Sequence, residues 1–214
     1  VASFAYSCNF VIVHANSFKE ILVEEYAIPE KKVEVFPHAI IEDIKTLSKE
    51  QARKKLNLSG NVYLIIGTMI PDHGHDVIIS QAKKIGKTIL VVANPDAVND
   101  RNTEKITNFL SLNRQIVEKN HFEKFVRFDL GAISYEKWWA YFSAADLVLL
   151  PYRGGIGSGI FADAMAMKKP VVASNVKYFK DFAQDYGCIK LARKDSNFAK
   201  EIREAMKPKN YKKM

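Results

Sequence analysis

Short apolar runs bounded by turn residues alternate with longer amphipathic stretches along almost the whole chain. Most of the runs are rich in Val, Ile and Leu without a polar residue at every second position, which is typical of strands buried on both faces of a parallel sheet. Six runs are predicted strands: 62–66, 88–93, 125–128, 146–150, 170–174 and 188–191. The pattern predicts an α/β fold, a doubly wound, Rossmann-like sheet of six parallel strands.

The stretches between these strands have helical spacing and predict the crossover helices of such a sheet. They cover residues 75–84, 100–120, 136–145 and 196–206. Ser134 stands where it can cap the third of them, and Ser48 with Gln51 forms the capping-box pattern that opens a further helix over 49–56.

The beginning of the chain follows a different pattern. An apolar run at 10–14, a helix near 18–26 and a second run at 33–36 precede a polar connector at 44–48. We therefore interpret residues 1–42 as the end of an N-terminal domain or as a packing arm, and residues 43–214 as the domain that contains the six-stranded sheet.

The strand order predicts where a ligand would bind. In the commonest doubly wound order, 3-2-1-4-5-6, the order reverses between the first strand and the fourth, and ligands bind outside the carboxyl ends of the strands at that point. The loops that follow these two strands here are 67–75 and 151–159.

The second of these loops carries four closely spaced glycines and Arg153, and it precedes a predicted helix. Glycine lets the backbone approach an anion, and free amides at a helix start bind phosphate. The loop is therefore a candidate diphosphate site, the alternative being a flexible turn with an exposed arginine. Asp163 on the following helix could accept hydrogen bonds from ribose hydroxyls, or it is an ordinary acid near a helix N-terminus.

The first loop contains Asp72, His73 and His75, followed by Asp76, which are residue types that can bind a metal. The histidines are not spaced to share a helix face, and no third ligand is evident. We therefore favour a charged donor site or an ordinary polar loop over a metal site. His38 either points into an interdomain cleft or is a structural histidine.

Charge and cysteine usage narrow the classes of partner and compartment. A formal net charge of +8 suits a polyanionic partner, but no nucleic-acid-binding motif is present, so we expect no nucleic acid. Cys8 and Cys188 have no neighbouring thiol, and no apolar run is long enough to span a membrane. We expect a cytoplasmic protein, and the basic residues 207–214 leave peripheral association with the inner face of the membrane open.

In its predicted strands and loops the sequence resembles the C-terminal, donor-binding domain of retaining glycosyltransferases of the GT-B fold. This family includes glycogen synthase and many lipid-linked-sugar mannosyl- and glucosyltransferases. The matching segments occur in the family's order and are 11–14 with 33–39, 64–67 with 72–74, and 144–152 with 158–159 and 169–174. The most specific is Ala-Ala-Asp-Leu-Val-Leu-Leu-Pro-Tyr at 144–152.

The resemblance implies a role for each matching residue. Ser158, Gly159 and Ile160 would offer backbone amides to the donor diphosphate, and Gly67 and Thr68 would flank it from the other loop. Asp163 takes the place of the glutamate that binds the ribose, and Ile133 lies where a backbone group usually meets the base.

Four positions depart from the family's pattern. A carboxylate that normally contacts the donor sugar is replaced by Gly155, and Ala39 replaces the glycine after His38. Thr68 and His73 stand where a diphosphate-binding arginine and lysine are usual.

The resemblance implies retaining, metal-independent sugar transfer from a nucleoside diphosphate sugar, with no cofactor. Helix-start amides, Arg153 and a protonated His73 would stabilise the departing diphosphate. Because most of the family's acceptor-binding domain is missing from the chain, a separate acceptor-binding domain or subunit is the expected partner. The alternative, suggested by Gly155, is a non-catalytic nucleotide-sugar-binding or scaffold subunit.

Overall fold

The structure is a computed structural model that describes residues 2–95, 100–155, 157–211 and 214; Ile156 of the glycine-rich loop lies outside the described residues. Its strands are β1 (Val11–Val13), β2 (Val33–Val35), β3 (Val62–Ile66), β4 (Thr88–Ala93), β5 (Val126–Leu130), β6 (Leu147–Leu150), β7 (Val171–Ser174) and β8 (Ile189–Ala192). Its helices are α1 (Ala2–Ser7), α2 (Asn16–Glu24), α3 (Lys49–Leu56), α4 (His75–Ile79), α5 (Ala82–Ile85), α6 (Asp100–Asn120), α7 (Tyr135–Ala144), α8 (Gly159–Ala166), α9 (Lys177–Asp185), α10 (Phe198–Ala205) and α11 (Pro208–Tyr211). Short 3₁₀ turns lie at Glu30–Lys32, Pro71–His73 and Asp195–Asn197.

The main sheet has the predicted doubly wound topology. Its strands lie in the order β5-β4-β3-β6-β7-β8, and every neighbouring pair is parallel. Counted from β3 this is the order 3-2-1-4-5-6, and the direction of winding changes between β3 and β6. The predicted order and switch point are therefore confirmed.

The apolar runs form central strands because helices cover both faces of the sheet. Every residue of β3 is buried, and its side chains alternate between two cores. Leu64 and Ile66 pack on the side of α3, α7, α8 and α9, whereas Tyr63 and Ile65 pack on the side of α4, α5, α6 and α10. Burial on both faces removes the polar alternation that a one-sided sheet would show.

A buried carboxylate ties the start of β6 to its neighbours at the amino edge of the sheet. Asp146 accepts hydrogen bonds from Val62 N at 2.8 Å, Arg53 Nη2 at 2.6 Å and Lys49 Nζ at 3.0 Å. Burial opposes ionisation, but these three partners outweigh it and lower the pKa of Asp146. The helix α3 that supplies the two cations begins with the predicted capping box at Ser48 and Gln51.

Two helical predictions differ from the structure. The stretch 75–84 forms two short helices, because buried Gln81 donates to the carbonyl of Val77 and also to that of Asp195, each at 2.8 Å, and accepts from Ala199 N. The long-range bonds to Asp195 and Ala199 compete with a continuous helix. Helix α9, which the sequence analysis missed, packs its apolar side into the core beside α8.

Strands β1 and β2 form a small two-stranded sheet of their own, separate from the main sheet. Strands β1 and β2 pair in parallel with Val11 opposite Val33. The amide of Ser17 at the start of α2 donates to Asp181 Oδ2 of α9 at 2.8 Å, and Phe18 lies against Tyr178.

None of the helices in the described part of the chain has the length and apolar composition that a membrane span requires.

Candidate functional site

The two predicted loops lie side by side at the carboxyl ends of β3 and β6. The amide of Arg153 in the second loop donates to the carbonyl of Asp72 in the first at 2.8 Å. Gly74 adopts φ +62°, and a Cβ added there would lie 2.0 Å from the Pro151 carbonyl oxygen. Only glycine permits this approach of the two backbones, which fixes the spacing between the loops.

A cavity of about 440 Å³ opens between these loops. Eight of the ten predicted site residues line it: Gly67, Thr68, His73, Ile133, Ser158, Gly159, Ile160 and Asp163. The lining also includes Gly157, one of the four glycines of the predicted diphosphate loop, and Asn94, Trp138 and Tyr152, which were not among the predicted site residues. Asn94 follows β4, so the carboxyl-end rule could have identified it from the strand assignment alone.

The start of helix α8 faces this cavity with free amides. Ser158 is the N-cap, and its Oγ accepts from Phe161 N at 3.1 Å while contacting the Tyr152 hydroxyl at 3.2 Å. The amides of Gly159 and Ile160 are the first of the helix, where no helical carbonyl is within reach. They point the positive end of the helix dipole at whatever occupies the cavity.

His73 is held between the two loops. Its Nδ1 lies 2.6 Å from the carbonyl oxygen of Thr68, and its ring stacks on Tyr152 with centroids 4.5 Å apart. Burial lowers the pKa of His73, more than the Thr68 carbonyl and Asp72 raise it. In the site without a bound anion, burial therefore favours the neutral ring of His73.

Asp163 lies one turn into α8 and is linked to α7. It accepts a hydrogen bond from Trp138 Nε1 at 3.0 Å. Burial raises the pKa of Asp163, and the bond from Trp138 only partly offsets this. Trp138 lies on α7 in the cavity wall, where it orients this carboxylate.

Arg153 does not line the cavity, which corrects the expectation that it completes the diphosphate site. Its guanidinium donates to Asp76 Oδ2 at 2.6 Å and to the Pro71 carbonyl at 2.5 Å. An acidic partner in the first turn of α4 thus holds the side chain outside, where its bond to Pro71 fastens the second loop to the first.

The residues considered for a metal do not converge. His75 is 1% exposed and packs edge-on against Phe109, and burial lowers its pKa to about 3. The carboxylate of Asp76 is engaged by Arg153 at 2.6 Å. Within the described residues, no group of three or more His, Cys, Asp or Glu side chains is arranged to hold a metal ion.

His38 contacts the glycine-rich loop instead of the cavity. Its ring stacks on His14 at 3.9 Å between centroids, and a Cβ added to Gly157 would lie 2.9 Å from its Nε2. Gly155, which stands where the family has a glutamate, adopts φ +132°. That backbone conformation strongly favours glycine.

Comparison with known proteins agrees with this geometry. The family model of glycosyl transferases group 1 matches residues 48–214. Mannosylfructose-phosphate synthase of Agrobacterium fabrum is 24% identical over 78% of this chain and 38% of its own length. The chain therefore spans less than two thirds of the length of this relative.

Solved structures share the fold at low identity. Sucrose-phosphate synthase from Thermosynechococcus elongatus has a TM-score of 0.81 at 18% identity, covering 96% of this chain and 51% of that protein. Anabaena HepE in complex with UDP and glucose has a TM-score of 0.78 at 16% identity, over 97% and 56%. A glycosyltransferase from Rickettsia africae has a TM-score of 0.75 at 18% identity, over 99% and 59%. With the matched family model and the doubly wound sheet, these findings show that the chain belongs to the group 1 glycosyltransferases of the GT-B fold.

Proposed function

We propose that this chain binds the nucleoside diphosphate sugar donor of a glycosyltransferase, and that the sugar is transferred with retention of configuration and without a metal. The observation that carries the proposal is the opening of the α8 N-terminus into a cavity lined by both switch-point loops. Two adjacent free amides and the positive end of a helix dipole supply an electropositive floor suited to a diphosphate.

The remaining walls suit the other parts of such a donor. The carboxylate of Asp163 can accept hydrogen bonds from both ribose hydroxyls while it also accepts the bond from Trp138 Nε1. Ile133, in the loop after β5, also lines the cavity, and we assign the base to its side. The fold neighbour HepE has been solved in complex with UDP-glucose, which supports a uridine donor as the first probe.

In the transfer step the leaving group is the nucleoside diphosphate. Its negative charge grows as the glycosidic bond breaks, and donors that are already oriented stabilise that charge without reorganising. The amides of Gly159 and Ile160 and the ring of His73 are the groups placed to do this. We assign no catalytic acid or base among the described residues.

We further propose that the acceptor is held by a separate domain or subunit that contacts residues 1–42. Of the large apolar side chains that are exposed in the described part of the chain, eight of eleven lie within residues 4–41. They are Phe4, Tyr6, Phe10, Ile12, Tyr26, Phe36, Ile40 and Ile41. A concentration of exposed apolar surface marks an interaction face, and parallel sheets as small as the β1–β2 pair are normally covered.

A substitution at one backbone nitrogen tests donor binding. Gly159 occupies the first position of α8, where proline is accommodated, and Ser158 before it has the extended conformation that proline requires. Gly159→Pro therefore deletes one anion-binding amide while keeping the helix, and Gly159→Ala keeps the amide. Titration calorimetry with UDP-glucose and with adenosine and guanosine diphosphate sugars should show tenfold or greater weakening for the proline variant only.

The outcomes separate the proposal from its rivals. Equal affinity of the proline and alanine variants would place the diphosphate elsewhere, and failure of every nucleotide sugar to bind would remove the donor site. Donor binding that never leads to transfer, even with the acceptor-binding portion supplied, would favour the non-catalytic role instead.

A further inference from the structure

The donor cavity is short of fixed positive charge for the ligand it is proposed to hold. Of the described residues that line it, only His73 has a basic side chain, and Arg153 is engaged by Asp76 outside. A nucleotide sugar brings two negative charges on its diphosphate. The site must therefore rely on backbone dipoles, or gain a cation when the ligand arrives.

The geometry of His73 identifies the atom where such a cation would form. A carbonyl oxygen can only accept a hydrogen bond, so the contact with Thr68 requires that Nδ1 carry a proton. In the neutral ring Nε2 is then an acceptor, which repels a phosphate oxygen. Protonation of Nε2 turns the same atom into a charge-assisted donor without moving the ring.

We propose that this site takes up one proton from solvent when a nucleoside diphosphate sugar binds, and that the proton is held on His73 Nε2 against the diphosphate. The inference rests on the proposed donor function and adds a pH dependence to it. The nucleotide sugar is unchanged in this step, since one proton moves from buffer to imidazole and no covalent bond of the ligand forms or breaks.

The surroundings of His73 fit this assignment. Asp72 lies on the same turn and favours the cation, whereas burial disfavours it until an anion is present. Neighbouring His75 is neutral because burial lowers its pKa to about 3, and burial raises the pKa of Tyr152, which stays a phenol. The nearby Arg153–Asp76 pair carries no net charge, and across the cavity Asp163 is the remaining titratable lining group.

Tyr152 is the positioning residue for this proton. Its ring stacks on His73, and its hydroxyl contacts Ser158 Oγ, the N-cap of α8. One side chain therefore sets the imidazole and the helix-start amides relative to each other. A Tyr152→Leu variant should lose the stack and reduce the proton uptake, while Tyr152→Phe should retain it.

Calorimetry measures the proton directly. The heat of binding UDP-glucose, recorded at pH 7.5 in buffers of low and high ionisation enthalpy such as HEPES and Tris, gives the number of protons exchanged from its dependence on the buffer. A sugar diphosphate ester has no ionisation of its own near neutral pH. We expect an uptake approaching one proton, and an affinity that falls by up to about tenfold per pH unit above neutral.

Variants assign the proton to its residue. His73→Lys carries a fixed charge, so binding should continue with no buffer dependence and with an affinity that is flat from pH 7 to 8.5. His73→Gln should also exchange no proton. The matched control is exposed His121 at the end of α6, where His121→Asn should leave the uptake unchanged.

Each contrary result has a distinct meaning. Binding by the wild type without buffer dependence, or uptake that persists in His73→Gln, would overturn this inference while leaving the donor site intact. Failure of UDP-glucose and of the other nucleotide sugars to bind the wild type would overturn the donor function, and this inference with it.

Discussion

Replacement of Gly74 by alanine should weaken the fold because it forces the two switch-point loops apart. An added Cβ would lie 2.0 Å from the Pro151 carbonyl oxygen, which is backbone and cannot move as a side chain can. The residue also has φ +62°, a conformation that costs an L-residue about 1–2 kcal/mol. Overpacking in a tight contact adds about 1–3 kcal/mol. We therefore expect the free energy of unfolding to fall by about 2–5 kcal/mol.

Gly60 provides a matched control for the conformational part of this loss. It has φ +66°, almost the same backbone conformation, but a Cβ added there meets nothing within 4 Å. Gly60→Ala should therefore cost only the about 1–2 kcal/mol of left-handed strain. The difference between the two variants measures the contact between the loops.

Urea unfolding of both variants, followed by the fluorescence of Trp138 and Trp139, gives the two free energies. Because the clash also displaces Pro151 from the first loop, Gly74→Ala should bind nucleotide sugars more weakly, and Gly60→Ala should bind them as the wild type does. Equal destabilisation of the two variants would refute the close backbone contact between the loops.

Two further predictions concern the carboxylates of Asp146 and Asp163. Asp146→Asn should lower the free energy of unfolding by about 3 kcal/mol, the lower end for a broken buried ion pair because Lys49 and Arg53 keep some contact with water. The pKa of Asp146 is lower in the folded than in the unfolded protein, where it is about 4. Its stabilising contribution is therefore present above that unfolded value and is lost as the pH falls through the folded value. The free energy of unfolding should accordingly depend less on pH in the acid range for the variant. Trp138→Phe removes the hydrogen bond that lowers the pKa of Asp163. The pH below which nucleotide-sugar affinity is lost should therefore rise in this variant. An unchanged pH dependence would show that Asp163 does not contact the ligand.

The fold could be predicted from the sequence because its strands are central and parallel. Such strands have almost continuous apolar composition, and both β3 and β4 have the predicted bounds. The connections were harder wherever a distant partner decides the conformation. Gln81 interrupts a predicted helix through bonds to Asp195 and Ala199, which helical spacing within 75–84 cannot reveal.

The candidate site could be predicted at the level of backbone, less so at the level of side chains. The loops that line the cavity were found from strand order and glycine spacing, both of which are backbone properties. The positions of the Arg153 and Trp138 side chains depend on which neighbour satisfies each polar group. Asp76 holds Arg153 outside the cavity, and Asp163 holds Trp138 in its wall. Such pairings require the packed structure.

The most direct test of the donor site is the response of individual backbone amides to a nucleotide sugar. In a ¹⁵N-labelled sample titrated with UDP-glucose, the amide resonances of Gly67, Gly159 and Ile160 should shift progressively and saturably. Those of Gly60 and Gly86, at the opposite edge of the sheet, should stay in place. Saturable shifts confined to that opposite edge, or to the small β1–β2 unit, would contradict a donor site at the start of α8.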